Sequence, residues 1–101
     1  AAFFGTMEVH RRARIQFLHV HQMVDGSGGT TTAEVYRRRS GVNTLIATVS
    51  LAAGGGDHQR GFSLPEDSGA NLVQRQDYLY CQLTAVQTGS PLGLTVDVHF
   101  D

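Results

Sequence analysis

The sequence lacks several features that would point to particular classes of protein. It has a single cysteine, Cys81, so no disulfide forms within the chain and stability must come from packing, internally or against other copies. No apolar run approaches the roughly 20 residues that span a bilayer, and no signal-peptide pattern occurs. The chain begins Ala1-Ala2, consistent with removal of an initiator methionine, and we expect a soluble product that stays where it is made.

An excess of charge of one sign is also missing. Eight basic and nine acidic residues give a net charge of −1, so the whole chain has no electrostatic footprint for nucleic acid or an anionic membrane. All eight basic residues are arginine, which reflects either a GC-rich genome or a surface that uses planar, multi-donor contacts. We therefore expect neither nucleic acid nor a membrane as a partner.

A helical period is absent, whereas a period of two recurs. At 101 residues the chain fits a single domain spanning residues 1–101. The stretch from Asp77 to Asp101 predicts two half-buried strands joined by a tight turn. The predicted inward residues are Leu79, Cys81, Leu83 and Ala85 on the first strand, and Leu94, Val96, Val98 and Phe100 on the second. Turn signals every eight to twelve residues bring the total to seven or eight strands, which predicts an all-β, antiparallel β-sandwich.

The preceding segments fit the same architecture. Ala2 to His10 is interpreted as a short first strand or an arm. Arg14 to Val24 is a long strand with apolar residues on both faces, so we expect it to be covered on both sides.

The middle of the chain predicts a hairpin and a loop. Thr30 to Arg37 is the first hairpin strand, Arg38 to Gly41 the basic turn, and Asn43 to Leu51 the return strand. On the return strand the inward residues are Leu45, Ala47, Val49 and Leu51. Ala52 to Gly61 is interpreted as a loop of about ten residues, and Phe62 to Leu64 as a short strand.

Two stretches carry a resemblance to a known class of proteins. TTTAEVYRRRSGVNTLIATVSLAAG and LVQRQDYLYCQLTAVQTGSPLGLTVDVHF together resemble the small jelly-roll domains of tailed-bacteriophage head decoration, tail-fibre and baseplate proteins. The resemblance implies a jelly-roll-like sandwich that assembles on a capsid or tail, commonly as a trimer, and it carries over no catalytic residue. Because no fibrous shaft or attachment helix is evident, it favours a decoration or adaptor subunit over a fibre tip.

Three groups of residues are candidates for contact with partners. Arg37, Arg38 and Arg39 could grip acidic patches, phosphate or sugar acids, or could form a solvated turn. Tyr78 and Tyr80 share one strand face, where they could stack on a sugar ring, cover a subunit or pack across strands.

The third group is a pair of histidines. His19 and His21 lie two residues apart on one strand face, which could chelate a metal if further ligands arrived from elsewhere. No third ligand is set by spacing, so we expect core or interface histidines and predict no metal and no cofactor.

The inventory for catalysis is poor. Cys81 lies on an inward strand face, and neither a nucleophile elbow nor a phosphate-binding loop is present. The sequence therefore predicts a non-enzymatic subunit of a phage virion, assembled in the host cytoplasm, that oligomerises and decorates or cements the capsid through capsid or tail proteins. A receptor- or glycan-binding module of a tail fibre or baseplate is the alternative.

Overall fold

The computed structural model describes residues 2–54, 58–64, 69–89 and 91–101, and these form strands joined by turns. The strands are β1 (Ala2–Glu8), β2 (Ala13–Val24), β3 (Thr30–Arg39), β4 (Val42–Ala52), β5 (His58–Ser63), β6 (Leu72–Val73), β7 (Tyr78–Ala85) and β8 (Leu92–Phe100). A 3₁₀ turn at Gly69–Asn71 precedes β6. Within the described residues no helix is long and apolar enough to cross a membrane.

The strands form two antiparallel sheets packed face to face. Sheet I has the order β1-β7-β3-β4, while in sheet II the central strand β2 pairs with β5, β6 and β8. The chain passes from one sheet to the other at every connection except β3 to β4 and β5 to β6. The predicted jelly-roll-like, all-β sandwich of seven to eight strands is confirmed in its class, its two layers and its strand count.

The last two strands do not pair with each other, so the prediction of a closing hairpin from Asp77 to Asp101 is wrong. β7 lies between β1 and β3 in sheet I, and β8 pairs with β2 in sheet II. The inward faces are assigned correctly at Leu79 and Cys81, which are buried, whereas Ala85, predicted to face inward, is exposed beyond a register shift in the pairing with β3. The connection spans the gap between two layers because both strands turn an apolar face towards the same core.

Strand β2 is covered on one face, not on both as predicted. A register shift between Ile15 and Phe17 in the pairing with β8 inserts one extra residue. After this bulge the buried side changes from odd to even positions, so Ile15, Leu18 and Val20 all face the core. Ile15, Leu18 and Val20 thus belong to one covered face interrupted by a bulge, whereas Phe17 lies on the outer face beside His99.

A second bulge affects the β3–β4 hairpin. Strand β3 continues to Arg39, and the reversal takes place at Ser40 and Gly41, whose φ values of 51° and 79° suit a two-residue turn. The register shifts between Val35 and Tyr36. As a result Leu45, predicted to face inward, is 44% exposed, and Ile46 packs against the core instead.

The predicted loop from Ala52 to Gly61 is shorter in the structure. Strand β4 ends at Ala52 and β5 already begins at His58, so the last four residues of that segment pair with β2. Residues 55–57 and 65–68 lie outside the described part of the chain. The polar composition of this segment predicted a loop, but its last four residues form part of an edge strand that pairs with β2.

The core lies between the sheets in two adjoining clusters. The larger contains the buried residues Val9, Ala13, Ile15, Leu18, Val35, Val73, Leu79 and Cys81. The smaller contains Val20, Val49 and Leu51. The apolar residues of β8 contact these clusters but are only partly buried, which leaves one side of the sandwich incompletely covered.

Candidate functional site

The arginines at the end of β3 hold a neighbouring segment of the chain. Arg37 Nη1 donates to the carbonyl oxygens of Gly69 and Leu72 at 3.0 and 2.7 Å. Arg39 donates from Nε and Nη2 to the two carboxylate oxygens of Asp77 at 2.8 and 2.7 Å. We call Arg37, Arg39 and Asp77 the arginine clamp, because together they fix the segment from Gly69 to Asp77 against sheet I.

The clamp is built around a buried charge. Asp77 is 1% exposed and also accepts the backbone N–H of Gln74 at 2.9 Å. The hydrogen bonds from Arg39 lower the pKa of Asp77 below its usual range and raise that of Arg39, in spite of the opposing effect of burial. A bidentate guanidinium–carboxylate pair of this kind is a structural contact, so these two arginines have a role inside the chain.

Arg38 differs from its neighbours because alternation points it to the opposite face. Its Nη1 donates to the Asn43 side chain across the hairpin at 2.9 Å, and the residue is exposed. Of the three arginines predicted to contact a partner, Arg38 is the one presented on the outer surface of sheet I.

Tyrosines occupy the outer face of sheet I. The rings of Tyr36 and Tyr80 stack with centroids 5.3 Å apart and planes 13° from parallel. Tyr36 donates to Glu34 at 3.0 Å, and this hydrogen bond raises the pKa of Tyr36 above its ordinary value. Tyr78 is 41% exposed and donates to Glu8 at 3.3 Å. The predicted pair Tyr78 and Tyr80 thus lies on one face, together with a third ring and two carboxylates.

The histidine pair lies on the outer face of sheet II. His19 and His21 are partly buried, and His19 Nδ1 is 3.7 Å from Asp97 on β8. His99, also on β8, meets Phe17 edge to face, with ring centroids 5.4 Å apart. Among the residues that the structure describes, no group of three or more histidine, cysteine, aspartate or glutamate side chains is arranged to hold a metal ion.

The least complete part of the molecule is the side of the sandwich along β8. A cavity of about 380 Å³ opens between the sheets there, with Val35, Leu79 and Cys81 on one wall. The other wall is the inner face of β8, formed by Leu94, Val96, Val98 and Phe100. Smaller cavities of about 160 and 120 Å³ continue it at the Leu92 and Phe100 ends. We call these three neighbouring cavities together the edge crevice.

Strand β8 also presents free backbone groups beside the edge crevice. Among the strands that the structure describes it pairs with β2 alone, and Asp101 N–H donates to Arg14 O. Because hydrogen-bonding direction alternates along an antiparallel strand, odd-numbered residues of β8 point their N–H and C=O groups towards β2. The groups of Leu94, Val96, Val98 and Phe100 therefore point outward, where another strand can pair with them.

Protection of β8 against such pairing is weak. The opposite border of the crevice, β1, carries a bulge between Phe4 and Met7, with Gly5 at a φ of 69°. Strand β8 instead runs without a bulge from Leu94 to Phe100, and it contains neither lysine nor proline. Long, regular, apolar edges of this type are the ones that pair with a further chain.

Exposed apolar side chains extend the opening at one end. Leu92 is 63% exposed, Val86 56% and Met23 59%, and Leu92 pairs with Val24 of β2. Val86 and Leu92 line the same small cavity. A contiguous apolar patch beside a free strand edge indicates a surface that another polypeptide covers.

The one cysteine lies in the wall of the crevice and is predicted to be unreactive. Burial raises the pKa of the Cys81 thiol to about 11, so at pH 8 about one molecule in a thousand carries the reactive thiolate. We expect a thiol reagent such as Ellman's reagent to label native protein far more slowly than denatured protein at that pH. Equal rates in the two states would contradict the burial of Cys81.

Several features of this site were not predicted from the sequence. The alternation predicted that Val96, Val98 and Phe100 face inward. It did not predict that this face stays partly exposed, because that depends on which strands lie opposite it. One signal in the sequence does bear on the arginine clamp. Arg37 and Arg39 continue the inward alternation of Ala33 and Val35, which indicates that both arginines face inward and need acceptors such as Asp77.

Comparison of the chain with models of protein families, with curated proteins and with solved structures gives no match.

Proposed function

We propose that this chain is a non-enzymatic structural subunit that assembles through the open side of its sandwich and decorates or cements the head of a tailed phage. The observation that carries the proposal is the edge crevice. In the isolated chain, Leu94, Val96, Val98 and Phe100 remain only partly buried between two layers that otherwise form a packed core. Covering apolar surface of this kind with a neighbouring chain stabilises the assembly by about 25 cal/mol per Å² of surface removed from water.

The surface around the crevice supports a protein partner better than a small molecule. The edge crevice extends along a strand whose outward backbone groups can bond to a further strand. A strand from another chain supplies those partners and apolar side chains together, which is the usual mode of β-augmentation. The phage part of the proposal draws on the sequence resemblance, which also favours a trimer and capsid or tail partners.

Association of the purified, untagged chain tests this proposal. We expect light scattering after size-exclusion chromatography to give a mass that is a multiple of 10.9 kDa and that falls on dilution. Placing a charge in the crevice by Val96→Lys is expected to reduce association, whereas Thr48→Lys on the exposed face of β4 serves as the control. A chain that stays monomeric and fails to cosediment with phage heads would overturn the proposal.

A second candidate, recognition of a glycan by a tail module, is favoured by the outer face of sheet I. The stacked pair Tyr36 and Tyr80, with Tyr78 nearby and Glu34 within hydrogen-bonding distance of Tyr36, offers rings for a sugar and carboxylates for its hydroxyl groups. A glycan array tests it: binding lost in Tyr78→Ala and Tyr80→Ala variants would support this function. An array without hits, combined with firm particle binding, would exclude it.

A further inference from the structure

We propose that the partner at the β8 edge is a second copy of this chain, paired antiparallel about a two-fold axis that passes through Val98. This inference rests on the proposed function and specifies the partner and register at the same surface. It follows from the backbone directions of β8 and from the order of charges along it.

Backbone directions limit the possible registers. Only the even-numbered residues of β8 point their N–H and C=O groups away from β2, so a new strand bonds to those residues. If two copies of β8 meet antiparallel, an even-numbered residue must therefore face an even-numbered residue. Centring the pair on Val98 satisfies this rule, because Val98 then bonds to its own counterpart and Val96 bonds to Phe100 of the other copy.

The Asp97 carboxylate and the His99 imidazole select among the registers that remain. Asp97 and His99 both project from the outer face of sheet II, and the Asp97 side chain is 57% exposed. With the axis at Val98, Asp97 of each copy lies opposite His99 of the other, so two complementary pairs form at once. Moving the axis to Asp97 places two carboxylates opposite each other, and moving it to His99 places Asp97 opposite Asp101.

A register centred on Val96 is a further alternative, and it is less complementary. It sets Asp97 opposite Thr95 and His99 opposite Gly93, so the carboxylate and the imidazole no longer face each other. The register centred on Val98 pairs the Asp97 carboxylate with the His99 imidazole and also brings Phe100 of one copy beside Val96 of the other, on the inner side of the sheet. Side chains that are partly buried in the single chain are covered by this contact.

The symmetry of the contact has a consequence for assembly. A two-fold contact uses the same surface on both chains and is satisfied by one pair. Assemblies built through it therefore contain an even number of chains, in contrast to the isolated trimer that the resemblance implies. Sheet II becomes continuous across the pair, from β5 of one copy to β5 of the other.

Disulfide trapping tests the register directly. In a Cys81→Ala background, one chain carries Asp97→Cys and a second, isotopically heavy chain carries His99→Cys. Directly opposed residues without mutual hydrogen bonds lie about 4.5 Å apart between Cα atoms, within the range of roughly 4.4–6.8 Å that a disulfide bridges. We expect mild oxidation of the mixture to yield the light–heavy disulfide, and expect neither variant alone to form a disulfide dimer.

The other outcomes distinguish this inference from the proposed function. A homodimer of the Asp97→Cys chain, or of the His99→Cys chain, would place the axis elsewhere and overturn the register. Association that Val96→Lys still reduces, but without any of these cross-links, would mean that the open side pairs in another arrangement, which overturns the inference and leaves the proposed function intact. A chain that stays monomeric and does not bind particles would overturn both.

A measurement without cysteine substitutions gives an independent check. His99→Asp places carboxylates opposite each other twice in each pair, and we expect the dimer dissociation constant to rise roughly tenfold. His99→Gln is the matched control, because it retains a polar side chain without adding a negative charge. Circular dichroism establishes that both variants fold. Equal dissociation constants for wild type and His99→Asp would contradict the Asp97–His99 pairing.

Discussion

Replacing Arg39 with alanine is expected to lower the free energy of unfolding by about 2 to 4 kcal/mol. The substitution removes the bidentate partner of the Asp77 carboxylate, a residue that is 1% exposed in the native chain. The expected loss is somewhat below the roughly 3 to 5 kcal/mol typical of fully buried pairs, because 35% of the Arg39 side chain remains in water. Equilibrium unfolding in urea, followed by circular dichroism, measures the change.

The neighbouring arginine is a matched control for this experiment. Arg38 is exposed and contacts the side chain of Asn43, so we expect Arg38→Ala to change stability by less than about 0.5 kcal/mol. The double variant Arg39→Met with Asp77→Leu removes both charges and is expected to cost less than Arg39→Ala alone. Equal losses for Arg38→Ala and Arg39→Ala would contradict the arginine clamp.

The clamp also predicts a dependence of stability on pH. The pKa of Asp77 is lowered in the folded chain, chiefly by its hydrogen bonds from Arg39, relative to an unperturbed value of 3.8. Its contribution is therefore complete above that value and is lost as the pH falls through the lower folded value. We expect wild-type stability to decline below about pH 4, and expect Asp77→Asn to show a shallower decline.

Replacing Gln87 with alanine is expected to lower the free energy of unfolding by about 2 to 4 kcal/mol. Gln87 is 3% exposed, and its Nε2 donates to Leu51 O at 2.8 Å. Its Oε1 accepts from Gln22 Nε2 at 2.7 Å and from Gly26 N–H at 2.6 Å. In the alanine variant the Leu51 carbonyl, the Gln22 amide and the Gly26 N–H each lose a hydrogen-bond partner. The loss of stability is the desolvation penalty of those groups that water does not reach.

The effect of Gln87→Ala is expected to spread because its partners form a network. Gln22 also donates to Asp25 and accepts from Thr31, which joins the end of β2 to the start of β3. Gln74→Ala is the control, since Gln74 is exposed and alanine retains the backbone N–H that Asp77 accepts. Urea unfolding measures both variants, and a loss below about 0.5 kcal/mol for Gln87→Ala would contradict a structural role for the network.

The class of fold could be predicted from the sequence because alternation is a local signal. The period of two from Leu79 to Cys81, and again from Leu94 to Phe100, follows from how side chains leave a pleated strand. Strand pairing could not be predicted in the same way. β7 and β8 have equally apolar inner faces, and their assignment to separate sheets depends on contacts with β1, β3 and β2 that lie far away in sequence.

The errors at Leu45 and on β2 have a common cause. A bulge adds one residue to one strand of a pair and reverses the alternation beyond it, but it leaves no clear mark in the amino-acid pattern. The extra residue at Gln16 made one covered face resemble two, and the shift beside Tyr36 moved Leu45 outward and Ile46 inward. A single-residue change of phase of this type is set by tertiary packing.

Individual residues of the candidate site could be predicted from the sequence, but the way the fold brings them together could not. The sequence assigned Tyr78 and Tyr80 to one face, and the structure confirms that placement. It also treated Arg37, Arg38 and Arg39 as one cluster, whereas alternation sends Arg38 away from the other two. The edge crevice depends on the spacing of two sheets, a property that no single segment encodes.

Amide hydrogen exchange measured by NMR along β8, at low and high protein concentration, tests the central claim that another chain covers this edge. The N–H groups of Asp97 and His99 point towards β2 and are expected to be protected at both concentrations. Those of Val96 and Val98 point outward, and we predict that they exchange fast in the dilute chain and become protected as it associates. Fast exchange at Val96 and Val98 under conditions where the chain is fully assembled would contradict the account.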